Sequence, residues 1–289
     1  MFPAKQFDDV PTRPLLPRSM RRVAGAALGL AALAIAALSP LPALAQVADE
    51  DMWPGIRKDL YAARAIAEED GAIGLEAPVR ADDAALVPIT LRVPATVATS
   101  AKSLTLIIEK NPMPVAATFT FGPAAGTGER VIETRVRVDM YSNIRAVLET
   151  SNGTLHMATK YVKAAGGCSA PALKDQEQAL AELGKMKLRM HEGQQSPLMQ
   201  EAQVMIRHPN YSGMQMNQLT GLYIPAKYIQ SMEVRRGKDV VFAMEGGISL
   251  SENPNLRFTY GSGLDNEISV VAKDTSGATY TIRQSPKGS

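Results

Sequence analysis

The run Val131-Ile132-Glu133-Thr134-Arg135-Val136-Arg137-Val138 alternates apolar and polar side chains, and few patterns restrict a fold more. Successive side chains of a strand point to opposite faces, so this run specifies a half-buried strand with its charges turned out to solvent. Leu86 to Val93, Leu104 to Glu109 and Val115 to Phe121 are further β-rich runs, cut by prolines and polar turns. Ile144 to Thr150 and Leu155 to Val162 flank Ser151-Asn152-Gly153. Asn-Gly is a strong hairpin signal, because a tight turn between strands needs positive φ at its central residues. Asn152-Gly153-Thr154 also fits a glycosylation sequon, but the turn accounts for it. Together these strands predict a β-sandwich of immunoglobulin type. Upstream, Ile56, Leu60, Ala63 and Ala67 recur at helical spacing and predict a short helix from Met52 to Ala67.

A second β-rich unit lies further along. Its strands are Glu201 to Arg207, Ile229 to Arg235, Asp239 to Met244, Asn255 to Tyr260, Glu267 to Ala272 and Thr279 to Arg283, with glycine-rich turns between them. Between the two units, Pro171-Ala172-Leu173 opens an expected helix running to about Met190, with Leu173, Leu180, Leu183 and Met190 on one face. The architecture expected is therefore mainly β: two immunoglobulin-like β-sandwich domains joined by a helical linker. The boundaries are 1–45 for a signal peptide and 46–165 for the first sandwich with its N-terminal helix. Residues 166–197 form an arm and linker helix, and 198–289 the second sandwich.

The N-terminus supports export. Arg13, Arg18, Arg21 and Arg22 precede an uncharged alanine- and leucine-rich stretch from Val23 to Leu38. Ser39-Pro40-Leu41-Pro42 breaks any helix, and Ala43-Leu44-Ala45 offers a small-x-small cleavage site. The stretch is short for a membrane span, so the mature chain is expected to lack an anchor and to reside in the periplasm. Cleavage after Ala45 removes five basic and two acidic residues from totals of 31 and 29, leaving 26 against 27 and a formal charge of −1. No basic run with interleaved aromatics survives to suggest nucleic-acid binding.

Cys168 is the single cysteine, in Ala164-Ala165-Gly166-Gly167-Cys168-Ser169-Ala170. A lone thiol closes no disulfide within its own chain. Free cysteine is often buried as a small hydrophobe. Gly166 and Gly167 argue instead for a flexible arm, because glycine adds backbone freedom and gives nothing to pack. Five residues of extended chain beyond Val162 would carry the sulfur roughly 15 Å from the sandwich edge. A helix N-terminus just after Cys168 would also favour the thiolate, which is the nucleophile.

The second unit carries a series of motifs in order: Val204-Met205-Ile206-Arg207-His208-Pro209, Tyr223-Ile224-Pro225-Ala226-Lys227-Tyr228-Ile229, Gly246-Gly247-Ile248-Ser249, and Val270 to Gly277. This order resembles SoxZ, a subunit of the sulfur-oxidation carrier. The first unit, with Leu86-Val87-Pro88-Ile89-Thr90 and its glycine-glycine-cysteine end, resembles SoxY. The resemblance implies a fused carrier of the kind associated with quinoprotein dehydrogenase systems. In that family the cysteine on a glycine-rich arm carries sulfur intermediates covalently between enzymes, so Cys168 is the implied attachment point. The implied partners are periplasmic oxidoreductases: sulfur-oxidation enzymes, or a quinoprotein dehydrogenase with a c-type cytochrome. Here Ser169-Ala170-Pro171 replaces the family's trailing glycines, and the following helix tethers the arm at both ends.

Catalysis by the chain itself is not expected. Cys-x-x-Cys, haem, dinucleotide and phosphate-loop signatures are all missing from the sequence, so no cofactor is implied. His156, His191 and His208 lack metal-ligand spacing. Met205, Met214 and Met216 with His208 form the one soft-ligand set for copper, and core filling explains the methionines better. The competing function is a non-covalent docking module for a periplasmic quinoprotein dehydrogenase, with Cys168 idle.

Overall fold

A computed structural model describes residues 51–171, 181–196, 198–263 and 267–285. The expected signal peptide, and the part of the expected linker helix between 172 and 180, lie outside the described residues.

In the first half, helix α1 (Trp53–Tyr61) precedes β1 (Ile66–Glu68), β2 (Gly74–Glu76), β3 (Val87–Val93), β4 (Ala101–Ile108), β5 (Val115–Phe121), β6 (Arg130–Val136), β7 (Ser142–Thr150) and β8 (Leu155–Val162). The second half supplies β9 (Met186–Ser196), β10 (Met199–Ile206), β11 (Ile229–Arg236), β12 (Asp239–Gly246), β13 (Asn255–Gly261), β14 (Ile268–Asp274) and β15 (Thr279–Gln284). The expected Asn-Gly hairpin joins β7 to β8, with Gly153 at φ +86°.

Two sheets stack face to face, and each runs through both halves. One has nine strands in the order β1-β8-β7-β4-β5-β12-β11-β14-β15; the other has six, β2-β3-β6-β13-β10-β9. The halves are thus immunoglobulin-like sandwiches placed edge to edge. β5 pairs antiparallel with β12, setting Phe119 opposite Met244 and Phe121 opposite Phe242. β6 meets β13 more briefly, through Glu133 with Arg257 and Ile132 with Phe258. Across this join the Phe119 and Phe242 rings meet edge-on at 5.8 Å, and Phe242 and Phe258 at 5.1 Å. All three are fully buried in one hydrophobic core drawn from both halves. Burial of each ring contributes about 2–3 kcal/mol.

Two helical expectations are corrected. α1 ends at Tyr61, where Ala62 takes φ +52°. Ile66–Glu68 then becomes β1, parallel to β8. The helix expected to reach Met190 has given way by Met186, where β9 begins and pairs with β10. Lys187, Leu188 and Arg189 favour helix locally, but β9 completes the edge of the six-stranded sheet and buries Leu188 in the core. α1 itself anchors through Trp53 and Tyr61, which join Ile107, Val147, Leu155 and Met157 in a smaller apolar cluster.

Candidate functional site

Beyond β8 the chain folds back instead of extending. The Lys163 amide donates to the Val79 carbonyl at 2.9 Å. Gly166 then takes φ +79°, a left-handed conformation that an L side chain resists, and its amide donates to the Asp139 carbonyl at 2.8 Å. The Gly167 amide donates to the Val138 carbonyl at 2.9 Å. A Cβ on Gly167 would lie 2.1 Å from the Ala84 carbonyl oxygen and 2.7 Å from that of Val138. The two glycines therefore fit the turn against neighbouring backbone. They do not loosen it.

The second half covers this turn. Ser212 Oγ donates to the Cys168 carbonyl at 2.5 Å, and Gln215 Nε2 to the Ala170 carbonyl at 3.1 Å. Gln215 Oε1 accepts the Ser212 amide, so the two contacts brace each other. The covering loop is fastened at its base by His208, whose ring nitrogens pair with Asn210 Oδ1 at 2.8 Å and Asp274 Oδ2 at 3.3 Å. Asn210 Oδ1 also accepts the Ile229 amide, and the Tyr211 and Lys227 backbones exchange two hydrogen bonds. His208 thus serves the fold.

Cys168 is 0% exposed. The exposed, swinging thiol expected from the glycine flank is corrected to a docked one, held by the contacts above. Burial pushes the Cys168 thiol up to about 12, Asp139 adds to the rise, and Arg137 opposes it. A thiol in that state is protonated at neutral pH and unreactive. Residues 172–180, on which the helix expected to lower it falls, lie outside the described residues. Cys168 nevertheless belongs to neither hydrophobic cluster of the described residues. The backbone carbonyls on either side of it are held by polar side chains from both halves.

Arg137 is the second correction. Strand parity turns it outward beside Glu133 and Arg135, yet it is 1% exposed. β6 ends at Val136, and beyond it the outward face is roofed by the Cys168 turn. Arg137 Nη1 donates to the Gly167 carbonyl at 3.1 Å. Its backbone amide donates to the Ser249 carbonyl at 2.7 Å, and its carbonyl accepts from Asn111 Nδ2 at 2.7 Å. Nε and Nη2 have no hydrogen-bond partner among the described residues. Leaving such donors buried and unpaired costs about 1–3 kcal/mol each. Burial lowers the Arg137 pKa, against the opposing charges of Glu252, Cys168 and Asp83.

Of the residues singled out in the sequence, Gly166, Gly167 and Cys168 come together in this turn. Arg137, Ser212 and Gln215 join them without a sequence signal, apart from the alternation that pointed Arg137 the wrong way.

The family model of the sulfur oxidation protein SoxY matches residues 57–168, ending on the buried thiol. That of the sulphur oxidation protein SoxZ matches residues 188–285, the half that covers it. The chain belongs to the SoxYZ-like carriers. Its SoxY and SoxZ modules are fused in one polypeptide. Among solved structures, the sulfur carrier protein SoxY from Chlorobium limicola f thiosulfatophilum is 23% identical, covers 39% of this chain and 94% of its own, and superposes with a TM-score of 0.31. No curated protein matches the chain.

Proposed function

We propose that this SoxYZ-like carrier holds sulfur intermediates covalently on Cys168 in the periplasm. It presents them to partner oxidoreductases, either sulfur-oxidation enzymes or a quinoprotein dehydrogenase system with its c-type cytochrome. The observation that carries this reading is the lone thiol at the last residue of the SoxY match, held where the SoxZ module closes over it. The chain itself is not the catalyst.

The chemistry follows from opening the turn. Release breaks the hydrogen bonds at Gly166 N, Gly167 N and the carbonyls of Gly167, Cys168 and Ala170, each worth about 1 kcal/mol net. Out of the pocket, the thiol returns toward its ordinary value of 9.0 and supplies a usable thiolate. Joining a sulfane anion forms one sulfur–sulfur bond, frees the thiol proton and passes two electrons to the partner oxidoreductase. Thiol exchange then transfers the cargo, one sulfur–sulfur bond breaking as another forms, with no net oxidation. The covering loop also presents Leu219, Leu222 and Tyr223 to solvent, which suits it to meet a partner beside the thiol.

Burial of Cys168 favours a second reading, a docking module for a dehydrogenase in which the thiol is idle. Intact mass of the protein taken from the host periplasm, with and without reductant, separates the two. The carrier reading expects a reductant-sensitive adduct on Cys168 and loss of pathway flux in Cys168→Ser. An unmodified thiol under all growth conditions, with full flux in Cys168→Ser, assigns the docking role.

A further inference from the structure

We propose that Arg137 is the anchor for the charged group carried on Cys168, its Nε–Nη2 edge holding oxygens of a sulfonate linked to Sγ while the turn is docked. This rests on the carrier reading above.

Two independent features meet here. Arg137 is a buried cation whose Nη1 is fixed on the Gly167 carbonyl, one residue before the thiol. Its other edge, Nε with Nη2, carries no hydrogen-bond partner among the described residues. Those two groups point the same way from the guanidinium plane, the side-on fork that matches two oxygens of a carboxylate, phosphate or sulfonate. Arg137 and Cys168 each feel the other's charge, and the guanidinium is held on the carbonyl of the residue just before the thiol. Lysine in this place would offer a point charge without the paired geometry.

The other charges around the pair are carboxylates. Glu252 and Asp83 act on Arg137, and Asp139 acts on Cys168. None of them hydrogen-bonds Nε or Nη2. A sulfonate on Sγ would make that contact directly, whereas a neutral adduct of similar position would leave the fork unpaired. The docked turn should therefore distinguish cargo by charge, keeping an S-thiosulfonate sheltered and letting a neutral disulfide go.

The test uses chemically loaded full-length protein and needs no natural cargo. In mild urea, the Cys168 thiolate attacks the central sulfur–sulfur bond of tetrathionate; Sγ–S forms and thiosulfate leaves with the electron pair. A parallel sample takes methyl methanethiosulfonate, giving the neutral S-methylthio adduct as methanesulfinate leaves. After urea removal and confirmation by intact mass, dithiothreitol strips each adduct and the rates are compared. Arg137→Gln should accelerate loss of the S-thiosulfonate at least about tenfold more than loss of the methylthio group, the scale of one charge-assisted hydrogen bond. Arg137→Lys should fall between. Equal acceleration of both adducts overturns the proposal in favour of a purely structural Arg137, and no acceleration of either overturns it outright. Should Arg137→Gln not fold, wild type alone decides: the S-thiosulfonate form must melt above the methylthio form, and an equal or lower Tm overturns the anchor. Protein free of adduct in the periplasm would sink the carrier reading while leaving this comparison intact.

Discussion

Two of the joins between the SoxY and SoxZ modules are built from opposite materials. At β5–β12 the link is a regular backbone ladder backed by the Phe119, Phe242 and Phe258 rings. At the Cys168 turn it is a pair of side-chain to backbone hydrogen bonds from Ser212 and Gln215, with no regular pairing. Apolar burial and ladder bonds yield only with the whole fold. A few polar contacts around an irregular turn can break locally while the core stays intact. The first join makes one body of two modules, and the second leaves one segment of that body free to respond.

The sharpest way to break this contrast is at the apolar join. Phe242→Ala removes a ring shared by both modules and should lower stability by about 3–5 kcal/mol. Urea unfolding should remain a single transition at lower denaturant. Two separated transitions would show modules that fold independently, contrary to the shared core.

Next in size is the turn. Gly167→Ala places a Cβ against the Ala84 and Val138 carbonyls, which are backbone atoms with little room to retreat. We expect undocking worth at least about 2 kcal/mol, read as a roughly 30-fold faster reaction of Cys168 with iodoacetamide at pH 7.5. The urea midpoint should move much less than in Phe242→Ala. An unchanged alkylation rate would mean that the turn does not gate the thiol.

Smallest per step is the effect of pH. The docked thiol sits at about 12 and the ordinary value is 9.0, so docking favours the neutral form. Its contribution is complete below pH 9 and is lost between 9 and 12 by about 1.4 kcal/mol per pH unit. Alkylation of the wild type should thus keep rising about tenfold per unit beyond pH 9, where the undocked Gly167→Ala protein levels off. A wild-type profile that bends near 9 would place the thiol in water.

The same contrast explains what the sequence disclosed. Strand runs such as Val115–Phe121 and Leu155–Val162 were legible to the residue, because alternation and the Asn-Gly turn are local signals. β1 was hidden by alanines that continue a helical spacing, and β9 by helix-favouring Lys187, Leu188 and Arg189, both overridden by an available sheet edge. The pairing of β5 with β12 leaves no local trace, since the partners lie more than a hundred residues apart. At the site, the thiol and its glycines stood out, but their meaning depended on neighbours from elsewhere. Gly167 reads as freedom in isolation and as close fit once Ala84 is beside it. Arg137 reads as solvated until the turn lies over it.

The unbroken ladder between the modules has one further result. Ser212 and Gln215 are tied to the sulfur they shelter by backbone pairing as well as by peptide linkage, so the shelter is always present in one copy per thiol. A carrier assembled from separate subunits surrenders such a roof on dilution, by mass action. In this protein the balance between hidden and offered sulfur is unimolecular, the same in a crowded compartment as in a sparse one, and at neutral pH a visiting partner or a change of cargo is what tilts it.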